Sequence, residues 1–144
     1  MKTRTGFWDS SALVPLCVRQ DTSPDFRKLW RQSSRVIVWW GATVEIKSAL
    51  SRLRQDKFLD AQGLQLAFAR LETMRRKWRE IAPSDKGRDI AERLPDAHGL
   101  RALDSFQLAA ALVWCNEKPK SRVFVCDNFK LSEAARNIGF TVVP

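Results

Sequence analysis

Tyrosine is absent from this chain, histidine occurs once, and cysteine occurs three times. With His98 alone, every mechanism that needs two imidazoles is excluded. A Ser–His–Asp triad would have to recruit His98 from the polar stretch Pro95-Asp96-Ala97-His98-Gly99, which reads as a loop. Cys17, Cys115 and Cys126 are too few and too scattered for a disulfide framework or a zinc site. Each sits in an apolar run, so they read as small core residues of a protein kept in a reducing compartment. No apolar run approaches the roughly 20 residues needed to cross a bilayer. Asp9 and Pro15 interrupt the only stretch that might resemble a secretory signal. The expectation is a cytoplasmic protein that does not engage a membrane.

Acidic residues are also in short supply. Against 25 Lys and Arg stand 16 Asp and Glu, a formal charge of +9. A small protein this basic is drawn to polyanions, of which nucleic acid is the usual one. At 144 residues, 44% hydrophobic and 28% charged, the chain has the size and composition of one globular domain. It contains no internal repeat, low-complexity tract or linker, so a single domain over 1–144 is expected.

Runs rich in β-branched and aromatic residues alternate with helical patterns. Strands are expected at 5–9, 35–40, 80–83, 122–127 and 140–143. Helices are expected from Ser10 (with Ser10 or Ser11 as cap), then at 22–33, 43–57, 61–78, 85–93, 101–114 and 131–138. In the helix at 43–57, Val44, Ala49, Leu50 and Leu53 are the candidate inward positions. Strands that read as continuous apolar runs between helices imply an α/β fold, a parallel sheet covered on both faces.

Two of these strands end in an acid, Asp9 and Asp127. In open parallel sheets the functional crevice lies beyond the carboxyl ends of the strands. One such Asp is commonly just a helix cap. Two, if their strands are neighbours, share a crevice. Glu45 falls in the first turn after the second strand, and Asp104 in the first turn of an otherwise apolar helix. First-turn acids are often only dipole partners. If all four converge, two carboxylates about 4 Å apart repel by roughly 4 kcal/mol at an effective dielectric of about 20. Such a cluster holds protons or binds a cation, and an all-oxygen site suits Mg²⁺ or Mn²⁺. Ions of this kind orient water and stabilise the leaving oxygen in phosphodiester cleavage.

Taken in order, Phe7-Trp8-Asp9-Ser10-Ser11-Ala12-Leu13, Val44-Glu45, Leu100-Arg101-Ala102-Leu103-Asp104-Ser105-Phe106-Gln107-Leu108-Ala109-Ala110-Ala111 and Val125-Cys126-Asp127, with Leu131, Ala134, Ala135 and Gly139, closely resemble PIN domains. Among these the chain is most similar to VapC-type toxins of toxin–antitoxin pairs. The resemblance implies a three-layer α/β/α fold with a central parallel sheet and Mg²⁺- or Mn²⁺-dependent endoribonuclease activity. It further implies a homodimer and a cognate antitoxin partner. The matched acids Asp9, Glu45, Asp104 and Asp127 would form the catalytic metal site, supported by the Ser10 hydroxyl. Val125-Cys126 departs from the Ser or Thr that many relatives carry before the last Asp. The alternative from another class is a catalytically silent PIN-like module that binds RNA or protein. A haloacid dehalogenase would want a second Asp where Ser11 stands, and the response-regulator pattern is not matched.

Arg75, Arg76, Lys77 and Arg79 crowd the end of the second long helix, and Arg52 lies two turns beyond Glu45 on the same face. They are candidate RNA phosphate contacts, although cations are favoured at helix C-termini in any case. Six tryptophans stand out beside the missing tyrosine. Trp8, Trp39 and Trp114 read as core; Trp30, Trp40 and Trp78 are the ones left to stack on bases or line a partner groove.

Overall fold

In the computed structural model, which describes residues 4–144, five strands and seven helices alternate. Along the chain they are β1 (Arg4–Trp8), α1 (Ser10–Cys17), α2 (Ser23–Gln32), β2 (Ser33–Trp39), α3 (Ala42–Gln55) and α4 (Ala61–Arg75). There follow β3 (Trp78–Ile81), α5 (Asp85–His98), α6 (Ala102–Trp114), β4 (Val123–Val125), α7 (Phe129–Ile138) and β5 (Thr141–Val143). The strands form one sheet in the order β3-β2-β1-β4-β5, and every pairing is parallel. The fold is α/β, as the alternation of apolar runs and helices implies.

The strand order reverses between β1 and β4. Successive crossovers carry the chain outward from β1 to β3, then back across to β4 and out to β5. Trp8 pairs with Val125 in register, and the Asp9 N–H donates to the Val125 carbonyl at 2.9 Å. The carboxyl ends of β1 and β4 are therefore neighbours at a topological switch point, where such sheets form a crevice.

Alternation along the strands sends side chains into two cores. Phe7, Ile37 and Phe124 face one, with Leu94, Leu108 and Leu131 from α5, α6 and α7. Trp8, Val36, Val38 and Val125 face the other, with Leu13, Phe26, Leu50 and Leu71 from α1 to α4. The Phe7 and Phe124 rings, paired in register, stack at 5.5 Å. Truncating a buried ring of this kind costs about 3–5 kcal/mol. Among the described residues no helix is long and apolar enough to cross a membrane.

Several local expectations are corrected. Trp78 opens β3 instead of ending the preceding helix, which stops at Arg75. The register Trp78↔Val36 shows why: pairing with β2 outweighs the helical preference of residues 76–80. Helix α5 runs on through Pro95 to His98, so His98 is not in a loop, and Gly99 ends it at φ 66°, a left-handed position suited to glycine. In α3, Ile46 and Leu50 face inward, whereas Val44 is 71% exposed. The cap of α1 is Asp9, whose carboxylate accepts from the Ser11 N–H, and not Ser10 or Ser11. All three cysteines are buried and free. Trp8 is core, Trp78 nearly so, Trp39, Trp114 and Trp30 are half-buried, and Trp40 is exposed.

Candidate functional site

All four acids stand at the carboxyl edge of the sheet, Asp127 just beyond β4 and the other three from β1, α3 and α6. Asp9 follows β1, Glu45 stands in the first turn of α3, and Asp104 in the first turn of α6. Asp9 is buried. Desolvation pushes its carboxyl up to about 6, against the opposing pull of hydrogen bonds from the Ser11 hydroxyl and N–H, and the charge of Asp104 adds to the rise. Burial likewise raises Glu45, with Ser10 and Gln107 hydrogen bonds working against it and the charges of Asp9 and Asp104 with it. Burial raises Asp104, and Arg101 opposes the rise. Burial is the leading cause at all three, with like charge adding at Asp9 and Glu45.

The hydrogen bonds are directional. Ser10 Oγ donates to Glu45 Oε1 at 2.8 Å, and Gln107 Nε2 donates to the same oxygen at 3.1 Å. Both donors converge on one oxygen, leaving Glu45 Oε2 and Gln107 Oε1 buried with no protein partner. The Ser11 hydroxyl donates to Asp9 Oδ2 and accepts from the Asp127 N–H at 2.9 Å, tying α1 to the end of β4. It supplies a hydroxyl where Val125-Cys126 brings none. Burial, followed by the charge of Asp9, pushes the Cys126 thiol up to about 12, so it is inert.

Asp127 is placed differently. Its carboxylate is exposed and accepts from the Thr22 hydroxyl at 3.4 Å. Among the described residues no three acidic, histidine or cysteine side chains stand close enough together to hold a metal ion as placed. Asp9, Glu45 and Asp104 are thus electrostatic neighbours but not a ready-made cage, and the Asp127 backbone reaches Asp9 through the shared Ser11 hydroxyl.

Comparison with protein-family models and with curated proteins returns no match.

The basic residues divide by position. Arg75, Arg76 and Lys77 immediately precede β3, which runs parallel to β2 from the pairing of Trp78 with Val36. They lie at the amino edge of the sheet, opposite the acids. Lys77 Nζ donates to the Trp30 carbonyl at 2.7 Å and sits over the Trp30 ring. Phosphates held by this group would be remote from the carboxylates. Arg52 is exposed in the last turn of α3, about 10 Å along the axis from Glu45. The cation felt by Asp104 is Arg101, which the sequence does not mark as a site residue; nor does it mark Gln107, or Ser11 beyond its reading as a helix cap. A signal existed for Gln107: it is polar in an apolar helix and three residues from Asp104, hence on the same face.

Proposed function

We propose that this chain is a PIN-like endoribonuclease that uses Mg²⁺ or Mn²⁺ to cut RNA in the crevice beyond β1 and β4. The observation that carries the reading is the pair of buried, unpartnered acceptors, Glu45 Oε2 and Gln107 Oε1, beside the raised carboxyl of Asp9. An uncompensated buried acceptor costs about 1–3 kcal/mol, and two of them next to three acids call for a cation. The donors are all oxygen, which fits a hard divalent ion. Asp9, Glu45 and Asp104 would hold it, with Asp127 joining from the exposed side.

When bound, such an ion supplies an activated water and charge for the leaving oxygen. The chain's own groups orient the site. Ser10 and Gln107 fix Glu45 through one oxygen so that the other is free, and Ser11 fixes Asp9 while Asp9 caps α1. The charge of +9 draws the RNA backbone, and Arg101 is placed to meet it beside Asp104.

The resemblance further suggests a toxin, acting as a homodimer and silenced by an antitoxin in the cytoplasm. The second reading, a silent binding module, is favoured by one observation: among the described residues no three acidic, histidine or cysteine side chains are grouped closely enough to hold a metal ion as placed. Growth on induction separates the two. Wild type should arrest growth and Asp9→Asn should not; arrest of equal strength from both would establish the silent module.

A further inference from the structure

A cleft of about 290 Å³ opens between the end of β3, the start of α5 and the outer side of α6. Trp39 and Phe106 form its aromatic wall, with Ile81, Pro83, Ala110 and Arg88 around them. The Trp39 and Phe106 rings are parallel to within 2°, with centroids 5.7 Å apart, an offset stack that leaves a third ring a parallel plane to continue. Trp40, 57% exposed, meets Trp39 edge-on at 6.3 Å. Gly41 fixes this wall from behind. Its φ of −81° needs no glycine, but a Cβ there would stand 2.6 Å from Trp39 Nε1.

Helix α6 joins the cleft to the acids. Phe106 lies two residues beyond Asp104, at the same level of the helix but about 200° around it, so the cleft and the acids flank α6 from opposite sides. We propose that this cleft receives one unstacked nucleobase of single-stranded RNA, across α6 from the phosphodiester that the acids address. Only that second clause rests on the ribonuclease reading.

Three observations favour a base over a protein segment. The volume is just under the roughly 300 Å³ at which small-molecule pockets begin, room for one planar ring system and not for the apolar face of a helix. The wall is aromatic, with two parallel rings suited to extending a stack, and stacking tolerates any base. A cation stands near: within the lining Arg88 is paired with Asp85 at 3.3 Å, but Arg79, two residues from the core-facing Ile81 on β3, lies on the same face of the sheet. Of the basic group near β3, Arg79 is thus the one on the side of the cleft, where it can hold a flanking phosphate.

The test is binding of an adenosine hexaribonucleotide in EDTA, by anisotropy, against an abasic hexamer of equal charge. Phe106→Leu keeps apolar volume and removes the ring. It should weaken the adenosine hexamer roughly 5- to 100-fold and leave the abasic one unchanged. Gly41→Ala, which displaces Trp39, should act the same way, and the Trp39 indole N–H resonance should shift when the wild type binds. Equal losses on both oligomers, or no loss, overturn the proposal. So does a Phe106→Leu variant that changes only the concentration dependence of dimerisation, which would give the cleft to a second copy. Base-dependent binding without metal-dependent cleavage supports the cleft and sinks the ribonuclease reading. Cleavage with Phe106-independent affinity does the reverse.

Discussion

Replacing Asp9 by Asn removes a charge that the fold keeps out of water. Folding raises this carboxyl from 3.8 to about 6, chiefly by desolvation. The folded protein therefore holds more protons than the unfolded chain between those values, and stability falls as pH rises through that window. Below pH 3.8 the group is protonated in both states and costs nothing. Above pH 6 the full cost is present. At about 1.4 kcal/mol per pH unit it amounts to roughly 3 kcal/mol. Asn can still accept the Ser11 N–H and hydroxyl that share Asp9 Oδ2, and Asn is as good a cap as Asp. In metal-free buffer at pH 8, Asp9→Asn should thus melt higher, by up to roughly 10 °C at this chain length. The gap should close as pH approaches 4. Adding Mg²⁺ or Mn²⁺ should raise the wild-type melting temperature, by about 2.7 kcal/mol of stability at a hundred times Kd, and leave the variant unmoved. A variant less stable than wild type at pH 8, or a gap that ignores pH, would refute the reasoning and make Asp9 a structural cap.

Gln107→Leu leaves Glu45 Oε1 with the Ser10 bond alone, so the Glu45 carboxyl should rise further in a carbon-13 NMR titration. An unchanged titration would contradict the hydrogen-bond assignment. Arg75→Ala with Arg76→Ala, at the amino edge, should weaken long RNA in a salt-dependent way and leave the cleavage rate at saturating RNA within about twofold. A tenfold loss of that rate would place these arginines at the cut. With Cys17 and Cys126 pushed up to about 12 and all three thiols buried, native protein at pH 8 should not react with a thiol reagent until it unfolds.

The strands were legible because β-branched and aromatic runs such as Val36-Ile37-Val38 have no competing pattern. Residues 76–80 were not, because Trp78 falls at helical spacing from Met74 and only its pairing with Val36 makes it a strand. Pro95 hid the end of α5, since a proline four residues before Gly99 reads as a break although a last helical turn tolerates it here. Asp9, Glu45 and Asp104 could be found as acids at strand ends and first helical turns, a placement that the sheet order turns into proximity. The direction of Asp127 was not readable, because it depends on Thr22 in a loop more than a hundred residues away. Ser11 and Gln107 escaped for a related reason: their importance lies in which oxygen they bond, and side-chain hydrogen bonds between distant elements leave little trace in local pattern.

The most direct measurement of the central claim is cleavage of a single-stranded RNA under single-turnover conditions. Wild type with Mg²⁺ or Mn²⁺ should cut it, EDTA should stop the cut, and Asp9→Asn should lower the rate at least about a hundredfold. Cleavage that persists in EDTA, or that Asp9→Asn leaves intact, would contradict the assignment of this crevice as a metal-dependent ribonuclease site.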